Sequence, residues 1–246
     1  MIELVDFSKS YEKNLFAVKN VNLKAENGQI TGLLGLNGTG KTTIIKAITG
    51  NHFATSGKIL ITEKNGFKFN IEENIEKAKK IIGYVPEQIF FPNRLKVEEY
   101  ISLVKMQFSV SDEDLEKTIN LCGLSEVLSK KIGTLSKGYR QRLGFAQALI
   151  HNPENIVLDE PVNGLDPAQI IQMRKLIKKI AETKTVIIST HLMQEVEALC
   201  TKIYILNNGS IAIDGTEQEI LLKTGTKNIE NAFLKATGKE SDEKLS

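Results

Sequence analysis

The sequence predicts an α/β fold: a mixed sheet flanked by helices, with an antiparallel β part and an inserted α-helical subdomain. Three observations predict it. Short apolar runs bounded by turn residues alternate with helical spacing through residues 1–87 and again through 151–220. From 88 to 150 strand signals vanish and only helical spacing remains. The dipeptides Asn27-Gly28 and Asn65-Gly66 mark tight hairpin turns. A chain of 246 residues has room for one such domain with an inserted piece.

The elements follow in order. Residues 2–7 alternate, Ile2 and Leu4 against Val5 and Phe7, and read as a strand. VNLKA (21–25) repeats the alternation up to the Asn27-Gly28 hairpin, and the apolar run ITGLL (30–34) reads as a buried strand. A helix runs from about Lys41 to Thr49, where Gly50 stops it. NIEENIEKAKK (70–80) is a polar surface helix and IIGYVP (81–86) a strand. After the helical stretch, NIVLDEP (155–161) resumes the alternation. Asp166-Pro167 supplies an N-cap and a first-turn proline to a helix whose apolar side is Ile170, Met173, Ile177 and Ile180. TVIIST (185–190) is a strand, and KIYIL (202–206) and SIAID (210–214) flank the turn Asn207-Asn208-Gly209. Ile229, Phe233 and Leu234 form the apolar side of one C-terminal helix docking on the core, followed by a frayed polar end, GKESDEKLS. One domain is thus divided into an α/β core (1–87 and 151–220), a helical subdomain (88–150), and a C-terminal helix with a polar tail (221–246).

Composition narrows the partners. Net charge is only +2 with both signs mixed, which gives no electrostatic case for nucleic acid or anionic lipid. Four Arg (Arg94, Arg140, Arg142, Arg174) among 32 basic residues leave few bidentate phosphate clamps, shifting weight to backbone amides, Lys and metal. Cys122 and Cys200 lack CxxC spacing and read as two thiols of a reducing compartment. The N-terminus does not read as a signal peptide, and no apolar run approaches the roughly 18 residues that span a bilayer. Service to a membrane would therefore pass through a partner.

The chemistry lies in two motifs. GLNGTGKTT satisfies GxxxxGK(S/T) through Gly35, Gly40, Lys41 and Thr42, between a buried strand and a helix, and so predicts a P-loop NTPase core. Leu36, Asn37, Gly38 and Thr39 complete the loop, whose amides turn inward around phosphates. Lys41 reaches the β- and γ-phosphates and the Thr42 hydroxyl, beside Thr43, binds Mg²⁺. In NIVLDEP, successive side chains diverge, so Asp159 and Glu160 take separate roles. Asp159 joins the Mg²⁺ shell, while Glu160 faces the γ-phosphate and polarises the attacking water. A third stretch, LSKGYRQRLGFAQALI (135–150), begins like a second anion-binding helix, with Ser136 at the N-cap and Gly138 in the first turn.

Taken together, the Gly35–Thr43 loop, Leu135-Ser136-Lys137-Gly138, the Ile156–Pro161 strand, Asn163-Gly164-Leu165-Asp166 and His191 resemble an ABC-type ATPase subunit over roughly residues 1–220. The resemblance is strongest to stand-alone ATP-binding subunits, often of exporters, whose signature reads LSKGYRQR. It implies ATP and Mg²⁺ as cofactors, ATP hydrolysis coupled to transport, and a place on the cytoplasmic face of the membrane. It implies two partners and no nucleic acid: a second ATPase subunit, identical or different, and integral membrane permease subunits.

In such proteins two subunits pack head to tail, and each nucleotide lies between one phosphate loop and the other subunit's LSxG helix. The resemblance therefore assigns Ser136 and the amides near Gly138 to a neighbour's γ-phosphate; the plain alternative is that Ser136 only caps its own helix. It assigns Tyr11 to stacking on adenine, His191 to the γ-phosphate, and Asp166 to the dimer seam as well as to its helix cap. His52 and His151 carry no such role. The commoner signature is LSGGQ, so Lys137 and Tyr139 are departures; Lys137 either adds charge at the γ-phosphate or points to solvent. After IGYVP the family usually has a glutamine that senses Mg²⁺ and links to the membrane subunit. Here Glu87 stands at that place and Gln88 one residue later, and either can take the role. The resemblance assigns the segment 89–106 to docking of the membrane partner, with Phe90 and Phe91 either in the core of the helical subdomain or lining the groove. A small-molecule P-loop kinase accounts for the loop but not for LSKG, LDE or His191. A soluble ABC-type ATPase acting on DNA or ribosomes usually carries coiled coils or two ATPase halves, which are not seen here.

Overall fold

A computed structural model describes residues 1–12 and 15–239. Two sheets share the chain. The smaller is antiparallel, in the order β2 (Leu15–Ala25), β1 (Ile2–Glu12), β4 (Ser56–Thr62), β5 (Lys68–Asn70). The larger is mixed, in the order β10 (Ser210–Gly215), β9 (Lys202–Asn207), β3 (Ile30–Leu34), β8 (Thr185–Thr190), β7 (Asn155–Asp159), β6 (Ile82–Val85). In the larger sheet β9, β3, β8, β7 and β6 run parallel and only β10 is antiparallel. The near-continuous apolar runs of β3, β7 and β8 are buried along their whole length, as strands covered on both faces must be.

Helix α1 (Lys41–Ile48) follows β3 and fills the space between the sheets. Its Ile44, Ile45 and Ile48 pack with Leu33, Val157 and Ile187 of the larger sheet and with Ile2, Leu4 and Phe7 of the smaller. The opposite face of the larger sheet, Ile156, Leu158, Val186 and Ile188, meets the apolar stripes of α5 (Lys137–Leu149) and α6 (Pro167–Ala181). Alternate residues of one strand thus serve two cores, a direct result of the period of two. The short α2 (Ile75–Ile81) precedes β6, and α3 (Val97–Phe108) and α4 (Asp112–Cys122) complete the helical stretch with α5. After α7 (Met193–Leu199) and the β9–β10 hairpin come α8 (Glu217–Thr224) and α9 (Ile229–Ala236).

Some local expectations shift. Asn27-Gly28 does form a turn, with Gly28 at φ +73°, but not a hairpin: β2 pairs with β1 and β3 with β8 and β9, so the turn carries the chain from one sheet to the other. Turn chemistry bends the chain; it does not choose the partner. In α9, Ile229, Ala232 and Phe233 are buried against Leu34, Ile203 and Ile205, whereas Leu234 is only half-buried. A second helix, α8, spans residue 220, where the core was expected to end. The frayed polar end falls from residue 240 onward outside the described residues.

Candidate active site

β3, β8, β7 and β6 lie side by side and end nearly level, with Leu34 opposite Thr190, Asp159 opposite Ser189, and Val85 opposite Leu158. Whatever follows each strand therefore gathers at one carboxyl edge, where ligands of parallel sheets bind. The phosphate loop follows β3, Glu160 follows β7, His191 follows β8 and Glu87 follows β6.

The loop is shaped by its glycines. Gly40 sits at φ +106°, and a Cβ there would lie 2.8 Å from Val18 Cγ2 and 2.9 Å from the Ala17 carbonyl oxygen, so only glycine fits. Thr39 Oγ1 donates to the Leu36 carbonyl at 2.8 Å, and the Thr39 carbonyl accepts from Gly209 N at 3.2 Å, bracing the loop on the β9–β10 turn. Lys41 is 5% exposed. Its Nζ donates to the carbonyls of Gly35 (2.7 Å) and Leu36 (3.2 Å) and stands 3.8 Å from Glu160 Oε1. Burial pushes the Lys41 ammonium below its ordinary range, and the charges of Glu160, Asp159 and Glu87 oppose that shift.

Asp159 ends β7, buried and hydrogen-bonded to the Ser189 hydroxyl. Burial raises its pKa against the pull of that bond. Glu160 leaves the strand at φ +48°, a sparsely populated conformation for a residue with a side chain, held by Glu160 N donating to the Ser189 carbonyl at 3.1 Å. Its Oε1 lies 3.0 Å from His191 Nδ1.

A cleft of about 370 Å³ joins these groups. Of the expected site residues, Asn37, Gly38, Gly40, Lys41, Thr42, Thr43, Glu87, Glu160 and His191 line it. Ala17, which no motif singles out, lines it too, as does Asn163, which belongs to the Asn163–Asp166 motif but is given no role there. Gln88 is exposed and does not line it. Gly35, Leu36, Thr39 and Asp159 do not line it; Gly35 and Leu36 accept from Lys41, Thr39 precedes the lining Gly40, and Asp159 precedes the lining Glu160. Tyr11 lies at the rim, its hydroxyl 3.4 Å from Thr43 Oγ1 and its ring edge-on to His52 at 5.5 Å. His151 is elsewhere, stacked on Phe108 at 4.5 Å.

The start of α5 does not line this cleft. Ser136 caps α5, its Oγ accepting from Tyr139 N at 3.4 Å, and Asp166 caps α6, its Oδ1 accepting from Gln169 N at 2.9 Å. These two helix starts pack together: a Cβ on Gly138 would lie 2.7 Å from the Gln169 side chain, and one on Gly164 2.2 Å from Lys137 Nζ. Lys137 is exposed and lies across Gly164. Phe90 and Phe91 divide, Phe91 entering the core at 8% exposure and Phe90 standing 87% exposed.

The family profile for ABC transporters matches residues 18–163, more than half of the chain. This chain belongs to the ABC transporter family. Among curated relatives of this ABC ATPase, an uncharacterised ABC transporter ATP-binding protein of Bacillus subtilis, YdbJ, is 38% identical over 208 residues, covering 82% of this chain and 66% of the relative. The bacitracin transport ATP-binding protein BcrA of Bacillus licheniformis is 36% identical over 213 residues, covering 86% and 68%. The chain thus spans about two thirds of the length of these relatives. Among solved structures, an ATP-binding subunit of an ABC transporter superposes with TM-score 0.85 at 27% identity, over 96% of this chain and 99% of the other. A dimeric post-hydrolysis state of the ATP-binding cassette MJ0796, bound to ADP and Pi, gives 0.76 at 26% identity, over 88% and 98%. The fold class is that of ABC ATPase subunits, P-loop core and antiparallel sheet included.

The donors near Lys41 suit a hard cation. The Thr42 hydroxyl and the Asp159 and Glu87 carboxylates offer oxygen only, the chemistry Mg²⁺ prefers. Among the described residues no helix is long and apolar enough to cross a membrane.

Proposed function

We propose that this ABC ATPase subunit hydrolyses ATP in a head-to-tail pair and passes the resulting motion to separate integral membrane subunits from the cytoplasmic face of the membrane. The observation that carries the reading is the convergence of Lys41, Glu160 and His191 in one cleft while Ser136 and Gly138 face elsewhere. One chain holds a phosphate loop with its base but lacks the LSKG helix at the same place; a second subunit, identical or different, would bring it. In this reading residues 1–87 and 151–220 bind nucleotide, 88–150 carry the signature and face the membrane subunits, and 221–246 form a C-terminal helix and polar tail.

Phosphates enter against the inward amides of Gly38–Lys41, and Lys41 exchanges the Gly35 and Leu36 carbonyls for phosphate oxygens. Tyr11 stacks on the adenine at the rim. Glu160 accepts a proton from water as the water oxygen attacks the γ-phosphorus, the bond to the bridging oxygen breaks, and ADP leaves. His191, through Nδ1, holds the Glu160 carboxylate in line for that transfer. Thr42, Asp159 and Glu87 would hold Mg²⁺, which neutralises phosphate charge when bound. In the pair, Ser136 and the amides beside Gly138 contact the neighbour's γ-phosphate, at the positive end of the α5 dipole, and Asp166 lies at the seam.

The test is the solution mass of Glu160→Gln, with and without Mg-ATP, by light scattering. Doubling with ATP is the expected result for a pair of identical chains. A monomer at saturating ATP, both alone and when mixed with its membrane subunits in detergent, would overturn the identical pair.

A further inference from the structure

We propose that Asn163 is a positioning residue for Glu87, holding that carboxylate in the cleft and thereby setting how tightly the nucleotide-associated divalent cation is bound. The inference rests on the reading above that Glu87 helps to hold the cation. Two bonds from one residue carry it. The Asn163 side-chain Nδ2 donates to Glu87 Oε1 at 3.1 Å, and the Asn163 backbone N donates to the Glu160 carbonyl at 3.2 Å. Asn163 thus ties the segment after β6 to the turn that carries Glu160 and, three residues on, leads to the Asp166 cap of α6.

The electrostatics explain why Glu87 needs holding. Its charge is felt at both Lys41 and Asp159, so two carboxylates in the cleft and a third beside it surround the buried Lys41 ammonium. Mutual repulsion favours moving Glu87 outward, since it is exposed after β6 while Asp159 and Glu160 are buried. A neutral amide is suited to oppose this. It donates to one carboxylate oxygen without neutralising the group, which leaves the other oxygen available to a cation. A lysine at position 163 would instead pair with the carboxylate and compete with the metal.

The test uses Mn²⁺ as a spin probe, titrated by electron paramagnetic resonance in the presence of a non-hydrolysable imido analogue of ATP. Four proteins are compared: the natural chain, Asn163→Ala, Glu87→Ala and the double variant. Asn163→Ala should weaken Mn²⁺ on the order of tenfold, the scale for removing an outer partner of a metal ligand, a larger loss than that of metal-free nucleotide. In the Glu87→Ala background the same substitution should weaken it no further. Equal weakening in both backgrounds would overturn the proposal, because Asn163 would then act apart from Glu87. Weakening by Glu87→Ala but not by Asn163→Ala would overturn it while leaving Glu87 as a ligand. No effect of Glu87→Ala on Mn²⁺ would remove both. Asn163 is exposed, so an unchanged urea midpoint for Asn163→Ala separates a local effect from misfolding.

Discussion

His191 Nδ1 stands 3.0 Å from Glu160 Oε1, and the same oxygen lies 3.8 Å from the buried Lys41 Nζ. An imidazole and an ammonium therefore share one carboxylate oxygen. With Nδ1 engaged at Glu160, Nε2 is the ring nitrogen left for a phosphate. Lys41 is likewise committed to loop carbonyls and to Glu160 until phosphate replaces them.

Glu160 and His191 should behave as a unit. Glu160→Gln should lower ATP turnover by about 10²–10⁴-fold, the usual scale for losing a general base, while ATP still binds. Adding His191→Ala to Glu160→Gln should cost far less than His191→Ala costs alone. Phosphate release at saturating ATP measures all three; full additivity would show that the residues act separately.

The two candidates after β6 should separate cleanly. Glu87 lines the cleft and Gln88 does not. Steady-state hydrolysis should fall far more for Glu87→Ala than for Gln88→Ala. The reverse ranking would move the Mg²⁺-sensing role to Gln88.

The adjacent phenylalanines should part in the same way. Phe91 packs edge-on to Tyr100, with ring centroids 5.2 Å apart, under the Arg140 guanidinium. Phe91→Ala should cost about 3 kcal/mol in urea unfolding. Phe90 is 87% exposed, so Phe90→Ala should stay within about 0.5 kcal/mol and reduce only capture of the membrane subunits. Undiminished capture would exclude Phe90 from that contact.

Stability should depend on pH through Lys184. Its Nζ donates to Asn152 Oδ1 (2.7 Å) and the Pro153 carbonyl (2.6 Å), and burial, with the charge of Lys64 second, pushes its pKa down to about 8 from an ordinary 10.5. The unfolded chain then holds that proton more tightly than the folded one. The penalty is complete below about pH 8 and fades as pH rises toward 10.5, so stability from this group increases across that window. Urea midpoints from pH 7.5 to 10 should rise less steeply in Lys184→Met than in the natural chain.

Much of this molecule is written locally. The phosphate loop needs glycine, lysine and threonine at fixed steps between a buried strand and a helix, and its residues lie where that spacing puts them. Asp166-Pro167 opens α6 because a cap and a fixed φ act within one turn. Continuous short apolar runs in NIVLD and TVIIST declare strands buried on both faces for the same reason: the run is a property of the chain itself.

Pairing over long separations is not local, and there the tertiary structure decided. Asn27-Gly28 carries hairpin chemistry yet joins two sheets, because β3 finds its partners more than 150 residues downstream, at β8 and β9. Glu87 and Asn163 meet across 76 positions, and Asp159 and Ser189 across 30, only because β6, β7 and β8 lie side by side with their ends level. Phe90 and Phe91 are equal in a hydropathy pattern, but successive residues turn different ways once the helical stretch packs, so one is core and one is surface. The sequence by itself determined which chemical groups the protein carries and the short-range geometry of each motif. The strand order of the larger sheet determined which groups face one another, since that depends on burial and register among distant segments, to which local spacing is blind.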